Sequence, residues 1–200
     1  MRAFLILAVL VGAPVAQAQA PTQGFFVSPR LYAAGAAVES SDEVTTGGGL
    51  GLRLGYGFSK TVTAFAAIEG AGLDANNELF GVEDATTLGS FDLGAEFHIL
   101  PSRGIDPFLR VAFNATTSRY DIETVGGTTP GRLEVRGRGL TLGAGVQVGV
   151  SRTLDIELAL DLTGGTIEEF EVTNGRFEGT VAIDEGFGAS RLGVGLVWRP

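Results

Sequence analysis

Large apolar residues alternate with polar or small residues along residues 154–163. The apolar members are Leu154, Ile156, Leu158, Leu160 and Leu162, and between them lie Asp155, Glu157, Ala159 and Asp161. Successive side chains of a β-strand point to opposite faces, so this segment has one apolar face and one acidic face. The same alternation recurs at 140–150 and 191–198. The pattern therefore predicts a protein built of β-strands.

The alternation predicts eight strands, at about 30–38, 49–58, 61–72, 87–99, 107–119, 136–150, 154–163 and 188–198. Short connections (59–60, 100–106 and 151–153) alternate with long ones (39–48, 73–86, 120–135 and 164–187). The short ones therefore lie at one end of the sheet and the long ones at the other. Outer-membrane barrels have this asymmetry, with short periplasmic turns and long extracellular loops. We expect an all-β fold, an eight-stranded antiparallel up-and-down transmembrane β-barrel.

The N-terminus has the pattern of an export signal. Met1-Arg2 precede an apolar run at 4–11, and small residues follow up to Ala16-Gln17-Ala18. This order predicts a cleaved signal peptide at 1–18 and a single barrel domain at 19–200. The apolar run is too short for a spanning helix, which needs about 20 residues.

Composition excludes several classes of function. The sequence has no cysteine, which rules out disulfides and cysteine-ligated metal sites. Acidic residues outnumber basic ones, 23 Asp+Glu against 14 Lys+Arg, which argues against a nucleic-acid partner. We expect no cofactor and no metal.

Alternation alone leaves open which face points outward. A soluble barrel of the lipocalin kind would turn the apolar face inward. The polar phase favours the opposite arrangement, because it contains many glycines that make room inside a narrow lumen and charges of both signs. On the lipid face, an Arg or Lys at the middle of the bilayer destabilises a barrel by about 2–4 kcal/mol. We expect the following residues to form a charge network in the lumen: Arg53, Glu69, Asp92, Glu96, Arg110, Asp155, Glu157, Asp161 and Arg191.

Aromatic residues of the apolar phase gather at the short-turn end of the predicted strands. Tyr56 and Phe58 end the second strand, Phe97 lies near the end of the fourth, and Trp198 ends the eighth. Aromatic side chains are enriched where a membrane meets water. These four residues are predicted to form an interfacial aromatic girdle.

The last strand, Arg191-Leu-Gly-Val-Gly-Leu-Val-Trp198, alternates and ends on an aromatic residue. In this it resembles the small outer-membrane β-barrel families typified by the OmpA membrane domain, OmpX and OmpW. The resemblance implies recognition by the barrel assembly machinery, contact with outer-membrane lipid and lipopolysaccharide, and a non-enzymatic role in envelope structure or surface interaction. Arg199-Pro200 follow the aromatic residue, whereas such relatives usually end on it.

Two alternatives from other functional classes remain open. Some outer-membrane barrels modify lipid A with a His and a nearby Ser, but His98 is the only histidine and Ser90 lies about 26 Å away along the strand. We expect His98 to be a lumen or rim residue, and Asp155 and Glu157 to pair with Arg191 and with Arg53 or Arg110 rather than act as an acid–base pair. The third possibility is a soluble periplasmic lipocalin-like binder.

Acidic residues are abundant in the predicted long loops. They are compatible with divalent-cation bridging to lipopolysaccharide, with adhesion to a cationic partner or simply with a solvated surface. The barrel is expected to be monomeric. The acidic loop residues are Asp42, Glu43, Asp74, Glu78, Glu83, Asp84, Glu168, Glu169, Glu171, Glu178, Asp184 and Glu185.

Overall fold

The computed structural model describes residues 22–40, 44–74, 85–100, 104–122, 131–174 and 177–200. They form eight strands: β1 (Gly24–Val38), β2 (Val44–Gly57), β3 (Val62–Asp74), β4 (Ala85–His98), β5 (Ile105–Ile122), β6 (Gly131–Gly149), β7 (Leu154–Asn174) and β8 (Phe177–Trp198). Each strand pairs antiparallel with the next, and the predicted fold class is confirmed. The predicted signal peptide at 1–18 lies outside the described residues.

The barrel closes through the pairing of β1 with β8. The register of this pair runs from Val27 opposite Trp198 to Val38 opposite Phe187. Closure matters because hydrocarbon cannot satisfy the backbone groups of an open sheet edge. Over the part of the chain that the structure describes, no helix is both long enough and apolar enough to cross a bilayer.

The strands are longer than predicted, most clearly at the end of the long connections. The predicted connection at 164–187 is wrong, because β7 continues to Asn174 and β8 begins at Phe177. Alternation persists there, with Phe170 opposite Val181, and aromatic and β-branched residues favour strands. The Gly164-Gly165 pair is typical of turns, and the polar glutamates beyond it made the segment resemble a loop.

The other strands extend in the same way. β6 begins at Gly131, β5 ends at Ile122, and β1 begins at Gly24. The hairpin of β7 and β8 also contains an irregularity, since the pairing registers of β7 with both neighbours shift between Ile167 and Glu169. Such bulges increase the twist of a strand and redirect its side chains.

Glycines of the inward phase make room for large side chains of neighbouring strands. A Cβ atom built on Gly145 would lie 2.5 Å from Cζ of Phe108, and one on Gly55 would lie 2.5 Å from Cζ of Phe26. Nonbonded carbon atoms require about 3.5 Å. The expectation that glycine makes space in the lumen is confirmed at these two positions.

We predict that Gly145→Ala lowers the free energy of unfolding by about 1–3 kcal/mol, because the added methyl group overpacks the lumen against Phe108. Gly70→Ala is the matched control, since nothing lies within 4 Å of a Cβ atom added there. Urea titration of each variant, refolded into lipid vesicles, measures the difference. Equal stability of the two variants would contradict the prediction.

Candidate functional site

Large apolar side chains cover the outside of the barrel. On β7, Leu158 and Leu160 are each 45% exposed and Leu162 is 54% exposed. A soluble protein rarely exposes a contiguous apolar patch of more than a few hundred Å². This exterior is a surface for lipid, which contradicts the soluble lipocalin-like alternative. Further exposed members are Leu31, Leu50, Leu52, Leu54, Ile68, Leu93, Leu109, Val111, Phe113, Leu140, Leu142, Leu192, Val194 and Leu196.

The four residues of the predicted aromatic girdle all lie outside the barrel at the short-turn end. Their exposed fractions range from 40% for Tyr56 to 66% for Phe58. Phe25 joins them, with its ring centroid 4.9 Å from that of Tyr56, which in turn lies 5.2 Å from Phe58. Phe25 was missed because the first strand was predicted to begin at residue 30.

The nine residues of the predicted charge network all point into the lumen, where they are between 0% and 5% exposed. Eight of them join in one central network, and Asp155 lies nearer the short-turn end. The central network also contains Arg30, which was not among the predicted lumen residues. Arg30 lies between the outward residues Pro29 and Leu31, so it belongs to the inward face of β1.

Three arginines connect strands that are not neighbours in the sheet, in the middle of the lumen. Arg30 donates to Glu69 at 3.0 Å and to Asp161 at 2.8 Å. Arg53 bonds both Glu96 and Glu157.

Arg110 forms the densest set of bonds in this central group. It donates to Glu96 at 2.6 Å, to Glu157 at 3.0 Å and to Asp161 at 2.8 Å. These charge-assisted hydrogen bonds compensate for the cost of removing both partners from water.

Arg191 organises the end of the lumen that faces the long connections. Its guanidinium donates to Glu69 at 2.5 Å and to Asp92 at 2.9 Å, and also to Ser90, Thr141 and Thr163. The expectation that Arg191 pairs with Asp155 and Glu157 is wrong. Glu157 bonds Arg53 and Arg110 instead, as one of the expected alternatives allowed.

Three buried phenylalanines pack against arginines of the central network. The guanidinium carbon of Arg53 lies 5.1 Å from the ring centroid of Phe26, and that of Arg110 lies 5.3 Å from Phe65 and 5.1 Å from Phe108. Cation–π contacts of this kind stabilise a desolvated arginine. These phenylalanines were not predicted as lumen residues, although their positions in the alternation assign them to the inward face.

A second polar group, the short-turn cluster, closes the other end of the lumen. It comprises Arg199, Asp155, Gln147, His98, Asp106 and Thr63. Arg199 bonds Asp155, donates to Gln147 at 3.0 Å, and is 3% exposed. Arg199 follows Trp198, whereas the barrels that the chain resembles usually end on that aromatic residue. Its side chain therefore lies inside the barrel.

His98 lies in this cluster as a fully enclosed side chain. Its Nδ1 lies 2.8 Å from Asp106 Oδ2, and its Nε2 lies 3.4 Å from Thr63 Oγ1. A hydroxyl, an imidazole and a carboxylate in this order can activate a nucleophile. Thr63, however, is only 1% exposed, so a substrate cannot reach its hydroxyl in this conformation.

A cavity next to Arg191 is lined by Tyr32, Ser90, Asn114 and Thr163, and about 20 Å³ of it is open to the centre of a water molecule. That volume suits about one water. Among the described residues no group of three His, Asp or Glu side chains is arranged to hold a metal ion.

Several of the predicted acidic loop residues belong to the β6–β7 sheet instead. Glu168 pairs with Arg138 at 3.2 Å, and Glu171 with Arg136 at 3.3 Å. Glu185 accepts a bond from the backbone N–H of Ser40. Outside the described residues and side chains lie Asp42, Glu43, Asp74, Glu78, Glu83, Asp84 and Glu178.

Solved structures of bacterial outer-membrane proteins share this architecture. Neisserial surface protein A is 15% identical, with a TM-score of 0.65, 89% of this chain covered and 98% of that chain covered. OprG of Pseudomonas aeruginosa is 13% identical, with a TM-score of 0.60, 91% of this chain and 99% of that one covered. Ail of Yersinia pestis is 13% identical, with a TM-score of 0.54, 88% of this chain and 99% of that one covered.

The fold is that of the small outer-membrane β-barrels. Sequence comparison adds nothing to this, since no protein-family model matches the chain and no curated protein matches it. The barrel is therefore recognised by its strand number, its closure and the orientation of its two faces.

We predict that Arg53→Met lowers the free energy of unfolding of this outer-membrane-type barrel by about 3–5 kcal/mol, because Glu96 and Glu157 each lose a buried partner. The control is Arg152→Met on the exposed turn between β6 and β7, where little change is expected. Fluorescence of Trp198, the single tryptophan, follows unfolding in urea. Unchanged stability of the Arg53 variant would show that the network is dispensable.

Proposed function

We propose that the protein is an integral barrel of the bacterial outer membrane, non-enzymatic and without a wide pore. It serves envelope structure or surface interaction through the hairpins at its long-loop end. The observation that supports this proposal is that charged and apolar side chains lie on opposite faces of the sheet. Charged side chains pair inside the cylinder, and leucines, valines and phenylalanines face outward, as contact with hydrocarbon requires.

The orientation follows from the two ends of the barrel. The short turns belong at the periplasmic side, as in other outer-membrane barrels, and the aromatic girdle lies at the same end. On the opposite side β7 continues from its last outward leucine, Leu162, to Asn174, which is about 40 Å of extended chain. This projection provides a protein surface beyond the membrane, and it supports a role in contact with other molecules.

Solute diffusion is not part of the proposed role. Eight strands enclose a lumen only wide enough for side chains, and here the ion-paired arginines and three phenylalanines fill it. Enzymatic modification of lipid A is the alternative. It would require a substrate to reach His98 at the periplasmic end, although the outer leaflet, where lipid A resides, lies at the other end of the strands.

We predict that the detergent-extracted protein migrates faster on an SDS gel before boiling than after it, because a closed barrel with a buried ionic network resists SDS. The same protein in planar lipid bilayers is expected to show no stable open channel of porin-like conductance. Identical migration of boiled and unboiled samples would contradict the barrel, and steady large conductance would contradict the filled lumen.

The enzyme alternative has its own test. Lipid A from cells that express the wild-type protein or His98→Ala is compared by mass spectrometry. We expect the two lipid A profiles to be identical. A modification that depends on His98 would replace the non-enzymatic role by the enzymatic one.

A further inference from the structure

The lining of the lumen changes from charged to apolar beyond Arg191. Towards the long connections, the next inward residues of β8 are Ala189 and Phe187. On β4, Leu88 follows Ser90 in the same direction. The cavity next to Arg191 lies at this transition, and residues of both kinds line it. It therefore offers a polar floor and an apolar wall to a molecule that enters it.

The cavity has a buried floor and a partly open mouth. Asn114 and Arg191 at the floor are 4% and 5% exposed, whereas Leu88, Phe187 and Ala189 are half-buried. With respect to the described residues, the cavity therefore opens towards the long connections. Because the arginine network fills the lumen on the other side of it, this cavity can hold a small molecule without passing it through the barrel.

Asn114 has an unused hydrogen-bond acceptor at the floor of the cavity. Its Nδ2 donates to Asp92 Oδ1 at 2.8 Å. An ionised carboxylate only accepts hydrogen bonds, so the amide nitrogen has to face Asp92 and the amide oxygen has to point elsewhere. Among the described residues this buried oxygen has no partner, which is unfavourable. Since Asn114 lines the cavity, a molecule inside it can supply the missing donor.

Hydroxyl groups line the same cavity. Arg191 Nη1 donates to Ser90 Oγ at 3.1 Å, and the proton of that hydroxyl remains to be donated in turn. Tyr32 brings a phenol to the cavity. A ligand group that both donates and accepts suits this floor, and a hydroxyl is the smallest such group. The volume agrees, because about 20 Å³ open to the centre of a water molecule suits a single oxygen atom.

The charges at the floor disfavour an ionised ligand. Arg191 donates to Glu69 at 2.5 Å and to Asp92 at 2.9 Å, so its charge is already compensated by two carboxylates. An anion in the cavity would meet these carboxylates, and a cation would meet the guanidinium. Neither ion would recover the hydration that it loses on entering. A neutral ligand avoids this cost.

We propose that this cavity binds a neutral small molecule through a terminal hydroxyl group. The hydroxyl donates to Asn114 Oδ1, accepts from Ser90, and takes the place of the single water that the floor accommodates. The apolar part of the molecule lies between Leu88 and Phe187 at the mouth. The ligand class that fits both halves of the cavity is a short aliphatic alcohol.

The test titrates 1-butanol into the barrel in detergent and follows the methyl resonances of Leu88 by NMR. We expect a shift that saturates, whereas partition of the alcohol into detergent gives a shift that rises without saturation. Asn114→Ala is expected to weaken binding about fivefold, the factor that corresponds to one neutral hydrogen bond of about 1 kcal/mol. Ala189→Leu places a larger side chain in the cavity and is expected to abolish the saturable shift, which keeps the test decisive if the Asn114 variant does not fold.

Ser28→Ala is the matched control, because Ser28 Oγ is also buried without a partner among the described residues but does not line the cavity. Its affinity for 1-butanol is expected to equal that of the wild type. Equal weakening by Ser28→Ala and Asn114→Ala would indicate a general loosening of the lumen and overturn the proposal.

Butanoate and butylammonium are the charged probes, and neither is expected to give a saturable shift. Binding of either ion as tightly as 1-butanol would overturn recognition of a neutral hydroxyl. The absence of a saturable shift with all three probes would show that the cavity takes water only, and it would also overturn the proposal. The samples are barrels whose mobility on an SDS gel changes on boiling, so that failure of this site is distinct from failure of the proposed membrane role.

Discussion

Charged side chains cannot face hydrocarbon, and this constraint determines the rest of the structure. Each arginine of the central network points into the lumen and bonds carboxylates on more than one strand. Arg30 on β1 reaches β3 and β7, and Arg191 on β8 reaches β3 and β4. The cross-links therefore connect strands that share no backbone hydrogen bonds. A sheet that is held only by neighbouring pairs becomes a cylinder with a rigid interior.

The same interior explains the glycines and the phenylalanines. A guanidinium that spans a narrow lumen needs flat partners beside it, and Phe26, Phe65 and Phe108 supply them. Those rings in turn need facing positions without side chains, which Gly55 and Gly145 provide. The arginines, the phenylalanines and the glycines thus form one packing unit. A change in any of them alters the space available to the others.

The sequence predicted the fold and the inward face because both depend on one local rule, the alternation of side chains along a strand. That rule does not predict which arginine pairs with which carboxylate across the lumen, since this pairing depends on strand tilt and stagger. This is why Arg191 pairs with Glu69 and Asp92 rather than with the acidic residues of β7. Arg199 was overlooked because it follows the aromatic residue that usually ends such a strand, although simple alternation places it inside. The hairpin of β7 and β8 was hidden by glycines and glutamates that usually mark loops.

The meeting of β1 with β8 has a consequence for biogenesis. Val27 and Trp198 are partners in this seam, so the cylinder cannot be completed until nearly the whole chain has arrived. Before that moment Glu69 lacks Arg30 or Arg191, depending on which of the two strands is still absent. A half-built intermediate would leave carboxylates of the lumen with fewer cationic partners than they have in the closed barrel. Docking of the final strand therefore completes the ion pairs of the lumen in the same step that closes the sheet.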